Sequence, residues 1–283
     1  MVIDFHSHNF PASLAARAIE VMCGKLAAMN EQMGGNFRPV GDGTVATQLR
    51  DMDRSGVDMC VNCPVCTRPD NFDAILARAI AVRNGAEGEE AARRIFQLGS
   101  IHPDDPLFAE RVQSLKAAGI PGIKLHPNYQ GISLGDPKLL PFFTALRDAG
   151  LFVISHCGFD PGYIDAPDVA GPKQIATLLE RVPGLKFVAG HLGGECGNPD
   201  HATDALLQFE NCWIDTAVMV YREDKPEAQR VVREWPADRM VFGTDYFWRD
   251  EAKIKAWVES FRPDPAEREK IFHVNAERLL GIA

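Results

Sequence analysis

Residues 122–156 read GIKLHPNYQGISLGDPKLLPFFTALRDAGLFVISH, two short apolar runs separated by a segment with helical spacing. The runs Gly122 to His126 and Leu151 to His156 predict buried strands, and Lys138 to Ala149 predicts the helix between them. Gly150 stands where that helix ends and the next strand begins. Because a helical crossover between two strands makes them pair in parallel, this stretch predicts one βα unit of a parallel sheet.

The same unit recurs along the whole chain. The eight apolar, β-branched runs are Val2 to His8, Val57 to Val65, Phe96 to His102, Gly122 to His126, Leu151 to His156, Lys186 to His191, Cys212 to Val218 and Met240 to Asp245. Helical periodicity lies between them, for example in Val45 to Ser55, Phe72 to Arg94 and Glu251 to Phe261. Runs that are apolar throughout are typical of strands covered by helices on both faces.

Eight βα units predict an α/β fold, a (β/α)₈ TIM barrel that forms a single domain over residues 1–283. A doubly wound open sheet is the alternative. No G-x-G-x-x-G loop follows the first run, which disfavours the dinucleotide-binding form of that sheet. Residues 22–43 interrupt the pattern, and two interpretations of them stay open, a lid over the site or an irregular excursion.

Composition narrows the range of partners and compartments. The 283 residues include 30 Lys and Arg against 39 Asp and Glu, a net charge of −9. Nucleic-acid binding relies on clustered basic residues, so this balance argues against such a partner. No apolar run approaches the ~20 residues of a membrane helix. The seven cysteines, an odd number, and an N-terminus without a secretion-type pattern predict a cytoplasmic protein with reduced thiols.

Histidines collect at the predicted carboxyl ends of the strands. Six of the eight occupy such positions, namely His6, His8, His102, His126, His156 and His191. In a parallel barrel the functional residues come from these ends, and Asp245 closes the eighth run in the same way. The histidines therefore predict a functional site at one mouth of the barrel.

The His6-Ser7-His8 sequence has a geometric meaning on a strand. Alternating side chains put the two imidazoles on one face, about 6.6 Å apart along the strand, where both can reach one ion. Zinc takes nitrogen ligands at roughly 2.0–2.1 Å, and His156 and Asp245 would complete a site that leaves a position for water. We expect one Zn²⁺, with Mn²⁺ or a second ion as alternatives. An N-cap role for Asp245 is the structural alternative.

Six segments carry a resemblance to a known family. They are VIDFHSH at 2–8, GIKLHP at 122–127, SHCG at 155–158, GHLGG at 190–194, VFGTD at 241–245 and NAERLL at 275–280. This ordered set, which runs from the first strand to the last helix, resembles the amidohydrolase superfamily. More narrowly it is similar to the amidohydrolase-related branch, which contains hydrolases and also the aminocarboxymuconate-semialdehyde and resorcylate decarboxylases.

The resemblance implies a barrel of the metal-dependent hydrolase type. Its implied metal ligands are His6, His8, His156 and Asp245. His191 is implied to be either a catalytic group beside one ion or a ligand of a second ion.

Lys124 shares a strand face with His126, and three interpretations of it are open. The resemblance makes it a candidate carboxylated bridge between two ions. It could also be a protonated lysine that pairs with a substrate carboxylate or phosphate, or a core lysine neutralised by a neighbour such as Asp4. We prefer the substrate-facing role. Further candidates for substrate contact lie on the same predicted rim, namely His126, Glu195, Tyr163 and Trp248.

The primary hypothesis is a metal-dependent hydrolase that cleaves a small-molecule amide, ester or lactone through a metal-activated water. Asp245 would move the proton and His191 would polarise the carbonyl. The alternative is a metal-dependent non-oxidative decarboxylase of a small aromatic or unsaturated acid, with Asp245 or His191 supplying the proton. A non-catalytic ligand-binding barrel is the second alternative. Family analogy also raises a homo-oligomer as an expectation.

Overall fold

The strands of the computed structural model, which describes residues 1–195, 198–199 and 201–282, follow the predicted runs. They are β1 Ile3–Ser7, β2 Met59–Asn62, β3 Ile95–Gln97, β4 Gly122–Leu125, β5 Phe152–Ser155, β6 Phe187–Ala189, β7 Cys212–Asp215 and β8 Met240–Val241. The ladders pair β1, β2 and β3 in one sheet and β4 through β8 in sequence order in another. Every strand pair in these two sheets is parallel.

Backbone hydrogen bonds join the two sheets at both edges. On one side Gly99 N donates to Gly122 O at 3.1 Å, and Lys124 N donates to Gly99 O at 2.9 Å. On the other side Phe5 N donates to Phe242 O at 2.7 Å. Since both edges are paired, the eight strands close into a barrel. The predicted (β/α)₈ architecture is confirmed, and the open-sheet alternative is wrong.

Helices surround this barrel. They are α1 Ala12–Lys25, α2 Ala27–Met33, α3 Val45–Ser55, α4 Phe72–Arg83, α5 Glu89–Arg94, α6 Phe108–Ala117, α7 Pro127–Gln130, α8 Leu140–Ala149, α9 Pro172–Arg181, α10 Gly190–Gly194, α11 Pro226–Glu234, α12 Glu251–Phe261, α13 Pro265–Glu269 and α14 Asn275–Leu280. Short 3₁₀ turns lie at Pro69–Asn71, Pro137–Leu139, Ala202–Gln208 and Ala237–Arg239, and Lys270–Val274 is a π-helical turn. In the described ranges, none of the helices has the length and apolar character needed to cross a bilayer.

The predicted helical stretches are confirmed in part. The bounds of α3 and α12 agree with the predicted ones, whereas the stretch from Phe72 to Arg94 is two helices, α4 and α5. Gly85 and Gly88 between them have φ values of 89° and 97°, a left-handed region that ends a right-handed helix and that glycine enters at little cost. Helix α1 is absent from the stretches predicted above.

Apolar side chains fill the barrel and close its amino-terminal end. The interior cluster is Ile3, Phe5, Val61, Phe152, Ile154, Val188 and Val241 from the strands, Cys63 and Leu98 just after β2 and β3, and Ala276, Leu279 and Leu280 from α14. A second, larger cluster packs the outer faces of the strands against the helices. Because α14 covers the amino-terminal end, the opposite end of the barrel is the one that can hold a ligand.

Candidate functional site

A cavity of about 750 Å³ lies at the carboxyl ends of the strands. Its floor is formed by His6, His8, Lys124, His126, His156, His191 and Asp245. Its walls are mostly apolar and include Phe10, Leu14, Met22, Ile75, Phe247 and Trp248. The structure therefore brings to one cavity all of the predicted metal-site and catalytic residues and three of the predicted substrate contacts, Lys124, His126 and Trp248.

Glu195 and Tyr163, the two other predicted substrate contacts, are not among the described residues that line this cavity. The Glu195 carboxylate is buried and pairs with Arg222 at 2.9 Å. The Tyr163 hydroxyl accepts a hydrogen bond from Lys25 Nζ at 2.8 Å. Both side chains have partners within the protein, and their contact with a ligand stays a prediction.

Three of the predicted ligands converge, and we name His6, His8 and Asp245 the floor triad. One ligand atom from each residue lies within 4.8 Å of the other two. His8 Nε2 is 3.1 Å and His6 Nε2 is 3.8 Å from Asp245 Oδ1. The register of β1 against β2 shifts between Asp4 and Ser7. This irregularity lets Phe5 pack in the interior cluster while the next residue, His6, also faces the cavity.

Hydrogen bonds to the outer ring nitrogens set the tautomers in the floor triad. His6 Nδ1 lies 2.7 Å from Asp215 Oδ2, and His8 Nδ1 lies 3.0 Å from Cys63 O. A carboxylate and a carbonyl can only accept, so both Nδ1 atoms carry hydrogen and both Nε2 atoms turn inward. His8 Nε2 and Asp245 Oδ1 share a hydrogen across 3.1 Å, and a bound cation would replace it. Two imidazole nitrogens and a carboxylate oxygen then face one point, a donor set that fits a divalent cation.

Asp245 is held in position by its neighbours on β1. Its backbone N–H donates to His6 O at 2.8 Å, and the Asp4 carboxylate accepts from the Thr244 N–H at 3.0 Å. The φ of Asp245 is 61°, a left-handed conformation that costs a non-glycine residue about 1–3 kcal/mol. Gly243 must also lack a side chain, because a Cβ there would lie 2.9 Å from the Cβ of His6.

The Asp245 carboxylate is ionised at neutral pH. Burial alone would raise its pKa, but the hydrogen bond from His8 and the charges of His6 and His191 outweigh burial and lower the pKa to about 2. Asp245 is therefore an anion at the point where the two Nε2 atoms meet.

Asp215, the last residue of β7, was missed by the sequence reasoning. It is fully buried, and its Oδ2 bonds to His6 Nδ1. Its Oδ1 accepts from the backbone N–H of His191 at 2.8 Å and of Ala217 at 3.1 Å. Burial raises the pKa of this carboxyl. The sequence signal for Asp215 is a charged residue inside the apolar run from Cys212 to Val218.

His191 presents one free ring nitrogen to the cavity. Its Nδ1 donates to Ala217 O at 2.8 Å, so Nε2 is available to hold or release a proton. Its ring centre lies 5.1 Å from that of His6 and 4.4 Å from that of His156. The φ of His191 is 55°, a second strained non-glycine position in the cavity floor.

The remaining predicted ligand, His156, belongs to a second group, which we name the rim triad, with His126 and Asp160. The His126 and His156 rings are stacked, with centres 4.2 Å apart and planes 8° apart. His126 Nδ1 and His156 Nε2 are buried without a hydrogen-bond partner among the described residues. Burial lowers the pKa of both histidines and raises that of Asp160 to about 6. His156 Nε2 has no other partner among the described residues, and its role as fourth ligand of the floor triad stays a prediction.

Lys124 is fully buried on β4, and its Nζ lies 2.6 Å from His6 Nε2. Among the described residues no carboxylate lies within 4.0 Å of this ammonium. Asp4 instead binds Thr244 and the backbone N–H of His6. The interpretation of Lys124 as a core lysine neutralised by Asp4 is therefore wrong, and its charge faces the cavity.

The segment predicted as a lid or an excursion, residues 22–43, lies beside the cavity mouth. Met22, Lys25 and Phe37 line the cavity. The Phe37 ring stacks on Trp248 with centres 5.9 Å apart, and Val40 N donates to Phe247 O at 2.9 Å. These contacts fasten the segment to the loop that follows Asp245.

Comparison with known proteins gives one family and one curated relative. The amidohydrolase family model matches residues 3–282. A 2-amino-3-carboxymuconate-6-semialdehyde decarboxylase of Dictyostelium discoideum is 25% identical in an alignment of 229 residues, and the match covers 68% of this chain and 63% of that protein. The chain thus spans less than two thirds of the length of this relative.

Solved structures with the same fold cover nearly the whole chain. An uncharacterised TIM-barrel protein from Bordetella bronchiseptica has a TM-score of 0.75 at 22% identity, over 99% of this chain and 98% of its own. The 5-carboxyvanillate decarboxylase of Novosphingobium aromaticivorans, in complex with manganese and 4-hydroxy-3-methoxy-5-nitrobenzoic acid, has a TM-score of 0.65 at 14% identity, over 99% and 96%.

Proposed function

The chain belongs to the amidohydrolase family, a family of enzymes, and from this premise we propose that it is a metal-dependent non-oxidative decarboxylase of a small aromatic or unsaturated carboxylic acid. This is the alternative reaction raised from the sequence. It takes precedence over the hydrolysis that was the primary hypothesis because named relatives in sequence and in fold are decarboxylases. The non-catalytic barrel is not retained, since the family consists of enzymes.

The observation that carries the proposal is a positive charge on the cavity floor without an acidic partner. The ammonium of Lys124 lies beside the floor triad and has no carboxylate within 4.0 Å among the described residues. The surrounding walls are apolar and aromatic. A buried cation beneath apolar walls is suited to an organic anion with a flat carbon skeleton.

The charge balance of the cavity also favours an anionic substrate. Its lining includes five basic side chains, Arg17, Lys25, Arg78, Lys124 and Arg249, and two acidic ones, Asp160 and Asp245. The whole chain has a net charge of −9, so this positive lining runs against the overall composition. Such a local field favours an anionic small molecule.

The floor triad would hold one divalent ion, with His156 as a fourth ligand. Zinc and manganese both accept imidazole and carboxylate ligands, and manganese is bound in the carboxyvanillate decarboxylase of similar fold. When bound, the ion would supply positive charge that orients the substrate oxygens and stabilises developing negative charge.

The side chains of this chain would divide the remaining work. Lys124 Nζ would bind the carboxylate that leaves, and the aromatic walls would hold the carbon skeleton and exclude water. As the C–C bond breaks, carbon dioxide departs and the electron pair stays on the substrate carbon. His191 Nε2 would give its proton to that carbon, since Nδ1 is committed to Ala217 O. Asp245, with a pKa of about 2, would remain an anion throughout.

The proposal is tested by incubating metal-loaded protein with a panel of aromatic acids, lactones and amides in deuterated water. We expect carbon dioxide release with one deuterium at the vacated carbon. The variant His191→Gln should lower kcat by about 10²–10⁴-fold, whereas the control His201→Gln, at an exposed histidine, should not. Cleavage of a lactone or amide with uptake of water oxygen, and no release of carbon dioxide from any acid, would establish hydrolysis instead.

A further inference from the structure

The cavity is much larger than a small aromatic acid requires. Its volume is about 750 Å³. Even if each non-hydrogen atom of benzoate took the ~30 Å³ that a water molecule occupies in the liquid, the whole anion would fill no more than roughly 270 Å³. With its carboxylate at Lys124 on the floor, an acid of this size would leave the outer part of the cavity without substrate. A larger substrate therefore has room to extend towards the cavity mouth.

One face of helix α1 forms a wall of this outer part. The α1 residues that line the cavity recur at helical spacing and are Leu14, Arg17, Ala18, Val21, Met22 and Lys25. Leu14 and Val21 are 55% and 53% exposed, whereas the floor residues Lys124 and His6 are buried. The α1 face therefore lies at the mouth of the cavity, and four of its six side chains are apolar.

This apolar face of α1 is not the face that packs the helix onto the protein. The packing face carries Ala15, which is buried, and Ile19, whose side chain lies next to Gly43. Leu14 and Val21 instead leave more than half of their surface open. Apolar surface of this kind gains free energy when a ligand removes it from water, and its place in a binding cavity indicates a ligand contact.

The polar side chains of the α1 face do not offer a site for a second polar group. Lys25 Nζ donates to the Tyr163 hydroxyl at 2.8 Å and lies 4.3 Å from the centre of the Tyr129 ring. Arg17 is exposed. Among the described residues of α1 and α2, no acidic side chain lines the cavity. Apolar side chains of other elements line the same cavity, namely Phe10, Pro11, Val65 and Ile75.

We propose that the α1 face binds an extended apolar substituent, such as an alkyl chain, so that the substrate class is an aromatic or unsaturated acid with such a substituent. The carboxylate would bind at Lys124, and the substituent would cover Leu14 and Val21. The inference rests on the proposed decarboxylation and adds to it the part of the substrate that does not react. No bond forms or breaks at α1, because its role is recognition.

The test is equilibrium binding measured by calorimetry on the manganese-loaded protein, with benzoate and the 3-alkyl- and 4-alkylbenzoates from methyl to hexyl as probes. Each methylene that reaches α1 should tighten binding about threefold, so the better hexyl compound should bind at least about 30-fold more tightly than benzoate. Leu14→Asn should reduce this ratio about fivefold or more and leave benzoate binding unchanged. Leu107→Asn is the matched control, since Leu107 is 44% exposed and is not among the described residues that line the cavity.

A second variant keeps the test valid if Leu14→Asn does not fold. Val21→Asn changes the same face two helical turns away and should also weaken the binding of the longer chains. Equal affinities of the wild type for benzoate and every alkylbenzoate, or an equal loss in Leu107→Asn, would overturn the inference.

Two further outcomes are distinguished by the same proteins. If a second copy of the chain covers the α1 face, the wild type should sediment as a dimer that Leu14→Asn dissociates, and alkylbenzoates should bind no better than benzoate, which would overturn the inference. Because binding is read without turnover, long-chain acids that bind tightly but release no carbon dioxide would contradict only the proposed reaction. Release of carbon dioxide without any effect of chain length on binding would contradict only the inference about α1.

Discussion

The floor triad and the rim triad each contain two histidines and one aspartate, but they differ in their hydrogen-bond partners. In the floor triad both Nδ1 atoms are bonded, to Asp215 and to the carbonyl of Cys63, and the Nε2 atoms converge. In the rim triad His126 Nδ1, His156 Nε2 and Asp160 Oδ2 are all buried without a hydrogen-bond partner among the described residues.

Ring geometry adds to the contrast. The His126 and His156 planes are 8° from parallel, so their in-plane lone pairs run side by side and do not meet at one point. The same three residue types therefore give converging ligand atoms in one place and a stacked pair of rings in the other. Composition alone cannot distinguish two such groups, whereas the hydrogen bonds behind the ligands can.

The largest expected difference between the triads is in metal content. His8→Ala should bind manganese or zinc at least about 100-fold more weakly and lose about 10³-fold in activity, because it removes a direct ligand. His126→Ala should retain about one ion per chain. Elemental analysis after dialysis checks both variants. Loss of the ion from His126→Ala with its retention in His8→Ala would reverse the comparison.

The variant Asp215→Asn tests whether the hydrogen bond from His6 Nδ1 to Asp215 helps the floor triad to bind a metal ion. The amide has one accepting oxygen in place of two, so it cannot accept both from His6 Nδ1 and from the backbone N–H groups of His191 and Ala217. His6 should therefore be held less well, and the affinity for the ion should fall about 10–100-fold. Asp160→Asn, in the rim triad, should leave that affinity unchanged. Competition with a fluorescent chelator measures both. Equal affinities in Asp215→Asn and wild type would show that this hydrogen bond does not matter for metal binding.

The variant Lys124→Met should weaken substrate binding at the cavity floor without weakening metal binding there. Removing the ammonium should raise KM for aromatic acids about tenfold or more, since a charge-assisted bond to the carboxylate is lost. Metal content should not fall, because the removed group is a cation beside the ligands. Steady-state kinetics with parallel metal analysis provides the measurement, and an unchanged KM would remove Lys124 from substrate recognition.

The smallest expected effect is on stability in the rim triad. The pKa of Asp160 is about 6 in the folded protein, above its ordinary value of 3.8. The protonated carboxyl therefore favours the folded state at low pH, and this contribution to the free energy of unfolding is lost as pH rises from about 4 through 6. Asp160→Asn should remove this loss and stabilise the metal-free protein above pH 6 by about 1–3 kcal/mol.

Urea unfolding at pH 4 and pH 7 measures this effect. The two proteins should differ least at pH 4, where the carboxyl is neutral in the folded state and about half neutral in the unfolded state. A less stable Asp160→Asn at pH 7 would mean that the carboxylate has a stabilising partner.

The sequence predicted the strands well because buried parallel strands are apolar throughout. It predicted their ends less well, since β3 ends at Gln97 and not at His102. The residues from Leu98 to His102 that follow the strand are also buried, so hydropathy does not mark the end of the strand.

Some features of the site could likewise be predicted from the sequence, and others could not. The shared face of His6 and His8 follows from strand alternation, and Asp245 from its strand-end position. The grouping of His156 with His126 depends on ring orientation, which has no sequence signal.

The most direct test of metal binding by the floor triad is anomalous diffraction from crystals of the manganese-loaded protein. We predict one strong peak within about 2.0–2.3 Å of His6 Nε2, His8 Nε2 and an Asp245 carboxylate oxygen, with Lys124 Nζ displaced from His6. A peak between His126, His156 and Asp160, with none at the floor triad, would contradict it.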